Sequence, residues 1–240
     1  VCAAGARFGK SMLAGAEAAA MLIEPNRNIW ICGTQYELAE KEFNWAIEFL
    51  NKMKFRDVPI LNFCRVTNQQ RGQRSIIAPW NSYIRTKSTE KPQTLLGEEL
   101  DLLVLSEASQ ISRIVWERML RARLGPRKGK LLAISTPNAD NGLFYDFFKK
   151  AESKEDREWQ SWLFSTLENI YFDKEEYERA RNELAKKVFE EQYEGKFVSR
   201  RGKISESIAT IEVLPRELDH WPVLIGVQKG FKNPMAIVFC

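Results

Sequence analysis

Ala4-Gly5-Ala6-Arg7-Phe8-Gly9-Lys10-Ser11 follows a short apolar run, residues 1–4, and opens an Ala-rich stretch, residues 11–22. The first reads as a strand and the second as a helix. The spacing A-x-x-x-x-G-K-S between strand and helix is that of a phosphate-cradling loop. Gly9 lets the backbone turn sharply and bring N–H groups onto phosphate oxygens. The helix N-terminus adds its positive end. Lys10 offers a compact charge for β- and γ-phosphates, and Ser11 a hydroxyl for Mg²⁺. Ala4 stands where Gly is commoner. The same letters also arise by chance in a Gly-containing turn, but placement between strand and helix favours a nucleotide site. Arg7 is an extra. It either reaches a phosphate or the transition state from within the chain, or is a solvated loop arginine.

Outward from the loop, strand and helix alternate. Residues 28–34 read as a second strand. Tyr36, Ala39, Phe43, Ala46, Ile47 and Leu50 keep the spacing of an amphipathic helix. Short strands are expected over 60–86. Residues 102–105 and 131–135 are uninterrupted apolar runs between helices, which predicts a mainly parallel central sheet flanked by helices. Residues 159–165 read as an edge strand. Residues 173–195 read as one charged helix, capped by Asp173 with Glu176 three residues on and stopped by Gly195. Residues 199–207 read as a basic linker, and 224–227 and 236–239 as two strands split by a turn.

The 240 residues suit one large domain, or one plus part of another. The charge sum, 36 Lys+Arg against 32 Asp+Glu, permits a nucleic-acid partner without demanding one. The cysteines Cys2, Cys32, Cys64 and Cys240 form no CxxC, which argues against a zinc knuckle or a disulfide scaffold and for reduced thiols in a cytosol. His220 is the only histidine, so an HExxH metalloprotease is excluded and a Ser-His-Asp site would rest on it alone. No apolar run approaches the roughly 18 residues of a membrane span. The chain enters on a strand at Val1 and ends in one at Cys240, so both ends are expected to be cut from a longer protein.

Two further strand ends carry polar chemistry. Residues 102–105 run into Ser106-Glu107, where P-loop ATPases usually have Asp-Glu. The Asp holds Mg²⁺ and the Glu polarises the attacking water, so Glu107 is the candidate base and Ser106 a weak, neutral metal ligand. The bland reading of Glu107 is an exposed strand-end carboxylate. Residues 131–135 lead into Ser135-Thr136-Pro137, where hydroxyls could sense the γ-phosphate or simply make a turn.

Together GARFGKS (5–11), GEELDLLVLSEAS (97–109), AISTPNADNGLFYDFF (133–148) and FEEQYEGKFVSRRGK (189–203) resemble the large terminase subunit of tailed phages, the DNA-packaging motor. The resemblance covers nearly the whole chain. It implies a RecA-like P-loop ATPase over residues 1–198, lacking its N-terminal part. A hinge over 199–222 and the first strands of an RNase H-like nuclease over 223–240 would follow. It implies ATP and Mg²⁺ as cofactors, with Ala4, Gly5, Ala6, Arg7, Phe8, Gly9, Lys10 and Ser11 on the nucleotide and Glu107 as base. Ser135, Thr136 and Pro137 would couple hydrolysis to motion. Ile225-Gly226-Val227 would open the first nuclease strand. The implied partners are double-stranded DNA, portal protein, the small terminase subunit and further copies in a ring on the procapsid. The implied setting is the cytoplasm of an infected bacterium.

The pattern departs from the family in four places. The adenine-recognising segment before the loop is missing, which predicts poor nucleotide affinity. Ser106 replaces Asp. Leu96 stands before Gly97 where many relatives carry a candidate arginine finger, leaving Arg7 and Arg85 as substitutes. Gln228 stands where the nuclease needs a metal-binding Asp, so no nuclease activity is expected. Arg121, Arg123, Arg127, Lys128 and Lys130, and then Lys196, Arg200, Arg201 and Lys203, are candidate backbone-tracking groups or solvated basic loops. Trp116, Trp159, Trp162 and Trp221 are expected in core or interface, because a duplex offers no splayed bases to stack on. Another P-loop motor of the helicase or recombinase class, or a decayed terminase that folds but turns nothing over, are the competing readings.

Overall fold

The alternation of apolar residues along each strand decides which helices cover which face. The computed structural model describes residues 1–68, 72–90, 92–138 and 142–198, and the backbone of 225–228 and 236–239. Strands β1 (Cys2–Ala4), β2 (Asn28–Gly33), β5 (Arg65–Thr67), β6 (Ser75–Ala78), β7 (Ser82–Ser88), β8 (Leu102–Leu105), β9 (Lys130–Ser135) and β10 (Trp162–Phe164) form one sheet. Its order is β10-β1-β9-β8-β2-β7-β6-β5. Every pairing from β10 to β7 is parallel, as the continuous apolar runs require, and β6 and β5 add antiparallel at the far edge.

Successive side chains of a strand point to opposite faces. Ile29, Ile31, Leu102, Val104 and Ile134 therefore pack beneath helices α1 (Lys10–Leu22) and α2 (Tyr36–Lys52), through Ala14, Ala18, Leu22, Phe43, Ala46 and Leu50. Trp30, Cys32, Leu103, Leu105 and Ala133 pack on the other face. Their partners are α3 (Arg113–Val115), α4 (Arg121–Leu124), the π-helical turn Trp116–Leu120 between them, and α5 (Gly142–Glu152). A strand buried on both faces has no polar alternation, which is why 102–105 is wholly apolar.

The structure corrects several local expectations. Residues 60–63 form a 3₁₀ turn rather than a strand, preceded by a small hairpin of β3 (Lys54–Phe55) and β4 (Val58–Pro59). The edge strand is shorter than expected, and Trp159 leaves it to pack on Phe147 with ring centroids 5.4 Å apart. The single charged helix over 173–195 is instead two, α6 (Lys174–Glu183) and α7 (Lys186–Gln192), with Leu184 and Ala185 extended between them. The break has a packing cause. Tyr177 and Phe189 meet edge-to-face at 5.0 Å, whereas residues twelve apart in one helix would sit about 18 Å from each other. Asp173 caps α6 through the Glu175 amide at 2.9 Å, while Glu176 engages Arg179. The reciprocal capping box lies earlier, between Ser165 and Glu168.

Residues 1–198 make one compact unit and 199–240 a second. In the second, β11 (Ile225–Gln228) and β12 (Ala236–Phe239) pair antiparallel, Ile225 opposite Phe239. The expected linker over 199–207, with Arg200, Arg201 and Lys203, lies outside the described residues. Trp221 and His220 lie outside them too.

Candidate active site

In a parallel sheet the C-terminal strand ends share one edge, and ligands bind there where the chain order switches. β9 lies between β1 and β8. That placement brings together the loop after β1, Ser135-Thr136 after β9 and Ser106-Glu107 after β8, although they are far apart in sequence.

The loop reaches α1 through Gly9, at φ 116° and ψ 14°. This left-handed backbone favours glycine strongly. The first amides of α1, from Lys10 onward, have no helix carbonyl to pair with and are available to an anion. Lys10 is buried and donates from Nζ to the carbonyls of Ala4 (2.8 Å) and Gly5 (2.8 Å) and to Thr136 Oγ1 (3.1 Å). Burial pushes its pKa below the usual lysine value, and the nearby Glu107 carboxylate opposes that shift. Arg7 is exposed, at φ 62°.

Glu107 also holds a left-handed conformation, φ 46° and ψ 54°, directly after β8. Such a backbone costs a non-glycine residue about 1 kcal/mol and concentrates at functional sites. Its Oε2 lies 3.2 Å from Ser135 Oγ. Ser135 is fully buried and its Oγ also lies 2.8 Å from Ser109 Oγ and 2.9 Å from Thr136 O, while accepting from the Ser109 amide at 3.2 Å. One hydroxyl proton serves these acceptors in turn. Lys10 thus reads Thr136 while Ser135 reads Glu107. Pro137 follows outside any helix or strand.

Ser106 faces inward. It is 1% exposed and its Oγ donates toward Leu38 O at 3.2 Å. The hydroxyls of Ser11 and Ser106 stand close enough to the carboxylate of Glu42, on α2, to favour its charged form. Glu42 went unnoticed in the sequence. A signal was present, since it lies on the helix face shared by Ala39, Phe43, Ala46 and Leu50.

The back of the loop is anchored by the chain's last third, a feature the motif does not announce. The Gly5 amide donates to Phe164 O (3.0 Å) and the Ala6 amide to Gln192 O (2.6 Å). Thr166 Oγ1 donates to Ala6 O (2.7 Å), Asn169 Nδ2 to Arg7 O (2.7 Å), and Phe8 stacks on Phe164 at 4.5 Å. Gly195, at φ 68°, packs so closely that a Cβ there would come 3.0 Å from the Gly5 amide nitrogen.

Other candidates lie elsewhere. Arg85 is committed to Glu98 (2.7 Å) and lies over the Tyr83 ring, 4.1 Å from its centroid. Glu98 also accepts from Tyr83 and from Trp30 Nε1. Leu96 is half exposed. Of the basic cluster, Arg127 is locked onto Asp101 (2.8 Å) and Asn26 O (2.9 Å), and Arg123 keeps a buried Nε without a partner. Arg121, Lys128 and Lys130 are exposed and line an open cleft with Trp159 and Trp162. Lys130 begins β9, at the opposite end of that strand from Ser135. Among the described residues no helix is long and apolar enough to cross a membrane. Nor does any group of three or more His, Cys, Asp or Glu stand ready to hold a metal among them.

A family model described as terminase large subunit, T4likevirus-type, N-terminal, matches residues 1–206. The terminase large subunit of Thermus phage G20c is 30% identical over 162 residues, covering 62% of this chain and 32% of that protein. The chain thus spans about a third of that relative's length. The large terminase ATPase domain of Thermus phage P74-26 superposes with a TM-score of 0.62 at 26% identity, over 82% of this chain and 88% of that domain. The large terminase of another thermophilic bacteriophage, solved in complex with ADP, gives a TM-score of 0.64 at 15% identity, over 99% of this chain and 58% of that one.

Proposed function

Since the chain belongs to the T4-like terminase large-subunit family, matching its N-terminal part over residues 1–206, we propose that it is the ATP-hydrolysing motor region of a viral DNA-packaging machine. The observation that carries this is the meeting of Lys10, Thr136, Ser135 and Glu107 at three adjacent strand ends. The likeness to the P74-26 ATPase domain supports it.

In this reading the loop amides, Lys10 and Ser11 hold the triphosphate. Glu107 accepts a proton from the water that attacks the γ-phosphorus. The bond from that phosphorus to the β–γ bridging oxygen breaks, giving ADP and phosphate. Mg²⁺, when bound, neutralises charge on the β- and γ-oxygens. The donors here fit a hard cation, being oxygen only: the Ser11 hydroxyl, with a buried, unpartnered oxygen on Glu42 behind it. Arg7, exposed on the loop, is the arginine this reading assigns to the phosphates, Arg85 being paired with Glu98. Loss of γ-phosphate is felt by Lys10 and relayed through Thr136, while Ser135 carries the state of Glu107.

The wider assignment follows the family. Residues 1–198 form the ATPase, 199–222 a hinge and 223–240 the start of an RNase H-like nuclease. The unit boundary at 198/199 and the β11–β12 pairing support that division. Gln228 in β11 leaves that start without its carboxylate, so the chain is inactive as a nuclease. Copies of the motor assemble as a ring on the procapsid with portal protein and small subunit, driving duplex DNA in the cytoplasm of an infected bacterium.

The test is ATP hydrolysis at several protein concentrations, with and without linear duplex DNA, beside Glu107→Gln. Activity that climbs with concentration and falls at least a hundredfold in the variant is expected. A flat background common to both proteins would replace this reading with that of a folded remnant acting by binding.

A further inference from the structure

A carboxylate placed on the apolar stripe of a helix must be accounted for. Glu42 is 1% exposed, sits among Ala39, Phe43 and Ala46, and its Oε2 has no hydrogen-bond partner. Burying an ionised carboxylate with an open oxygen is expensive unless a cation answers it. No lysine or arginine forms an ion pair with it among the described residues. What stands beside the carboxyl is informative: the hydroxyls of Ser11, the expected metal-binding residue of the loop, and of Ser106, the residue standing where the family pattern has Asp. Ser106 Oγ also contacts the Leu38 carbonyl, one helical turn before Glu42. Helix α2 therefore presents both a carbonyl and a carboxylate to the end of β8.

We propose that Glu42 is the charge-bearing partner of the nucleotide's divalent cation, supplying from α2 the carboxylate that β8 lacks at Ser106. The role is one of positioning. Glu42 accepts a hydrogen bond from the Ser11 hydroxyl, which would leave the Ser11 lone pairs to the metal and make them more basic. The second oxygen of Glu42 is buried and without a hydrogen-bond partner, so its charge is left to answer a nearby cation. Carboxylates standing behind ligands in this way change metal affinity by about 10- to 100-fold. The inference rests on the ATPase reading and adds the source of the missing charge.

The experiment is an electron paramagnetic resonance titration of Mn²⁺ into the full chain with ADP. Wild type is compared with Glu42→Gln and with the charge-relocating pair Glu42→Gln/Ser106→Asp. ADP binding by wild type in EDTA, followed with a fluorescent analogue, is measured first. The expected result is a 10- to 100-fold weaker Mn²⁺ affinity in Glu42→Gln and recovery of most of it in the double variant. A merely structural Glu42 would not regain metal affinity from a carboxylate on another element. Unchanged affinity in Glu42→Gln overturns the inference, as does a double variant that stays weak. If Glu42→Gln alone does not fold, the double variant against wild type decides by the same criterion. No ADP binding by wild type, with or without metal, overturns the ATPase reading, whereas binding with unaltered Mn²⁺ dependence overturns this inference alone.

Discussion

Gly195 shows how much one residue carries beyond its local role. It ends the segment after α7 at φ 68°, which an L side chain adopts with strain, and it also touches the loop and β1. Gly195→Ala adds a methyl against Phe164 O and the Gly5 amide, so it should lower stability by about 1–3 kcal/mol, read by urea denaturation. Nucleotide affinity should fall with it. The sequence reads this glycine as a helix stop and no more, because its second role depends on the loop lying beside the end of β10. Glu42 is the opposite case. Its position on the apolar stripe of α2 is visible in the sequence, but its meaning is not until α2 is laid against Ser106. Lys10, Ser11 and Glu107 stand out in the sequence as candidates, because a phosphate loop and an acidic strand end are local patterns.

Elements were legible where one period ran undisturbed. α1, α2, β8 and β9 lie within a residue or two of their expected limits, since buried strands read as continuous apolar runs and α2 as a clean stripe. The α6–α7 pair was not, because no Pro or Gly marks the break and the cause is contact between Tyr177, Phe189 and Tyr193. Phe189→Ala should cost about 3–5 kcal/mol and free α7, measured as a lower melting temperature together with lost protection of the Ala6 amide in hydrogen exchange. The segment before β8 is held by Glu98. Burial alone would raise its pKa, but Tyr83, Arg85, Lys87 and Trp30 outweigh that and the net direction is down. A depressed carboxylate contributes stability above its unfolded value, near 4.3, and loses it as pH falls through the folded one. Glu98→Gln should therefore cost about 1–3 kcal/mol at pH 7. The gap from wild type should close below about pH 4 when both proteins are melted across pH.

At the scale of the molecule the polar strand end at Ser135 and the exposed basic group around Lys130 lie at opposite ends of β9. Ser135 and Lys130 close and open the same strand, roughly 16 Å apart at about 3.3 Å per residue. If Lys128 and Lys130 track a phosphate backbone, Lys128→Glu/Lys130→Glu should flatten the salt dependence of duplex DNA binding by about 2 in log–log slope. ATP hydrolysis without DNA should be spared. Arg127→Ala should instead destabilise the fold, since Arg127 answers buried Asp101. The parallel sheet was foreseeable from composition of the runs, whereas the strand order was not, because nothing local in β1 says that β9 and β10 will flank it. That order has a mechanical consequence. The carbonyl of Gln192 grips the Ala6 amide six residues before the end of the unit at Val198. A pull applied at Val198 has only the short segment from Gln192 to cross before it reaches the hydrogen bond that holds the phosphate loop. If the chain works as the proposed ATP-driven motor, tension there should speed nucleotide release, so that the grip on ATP would report the load.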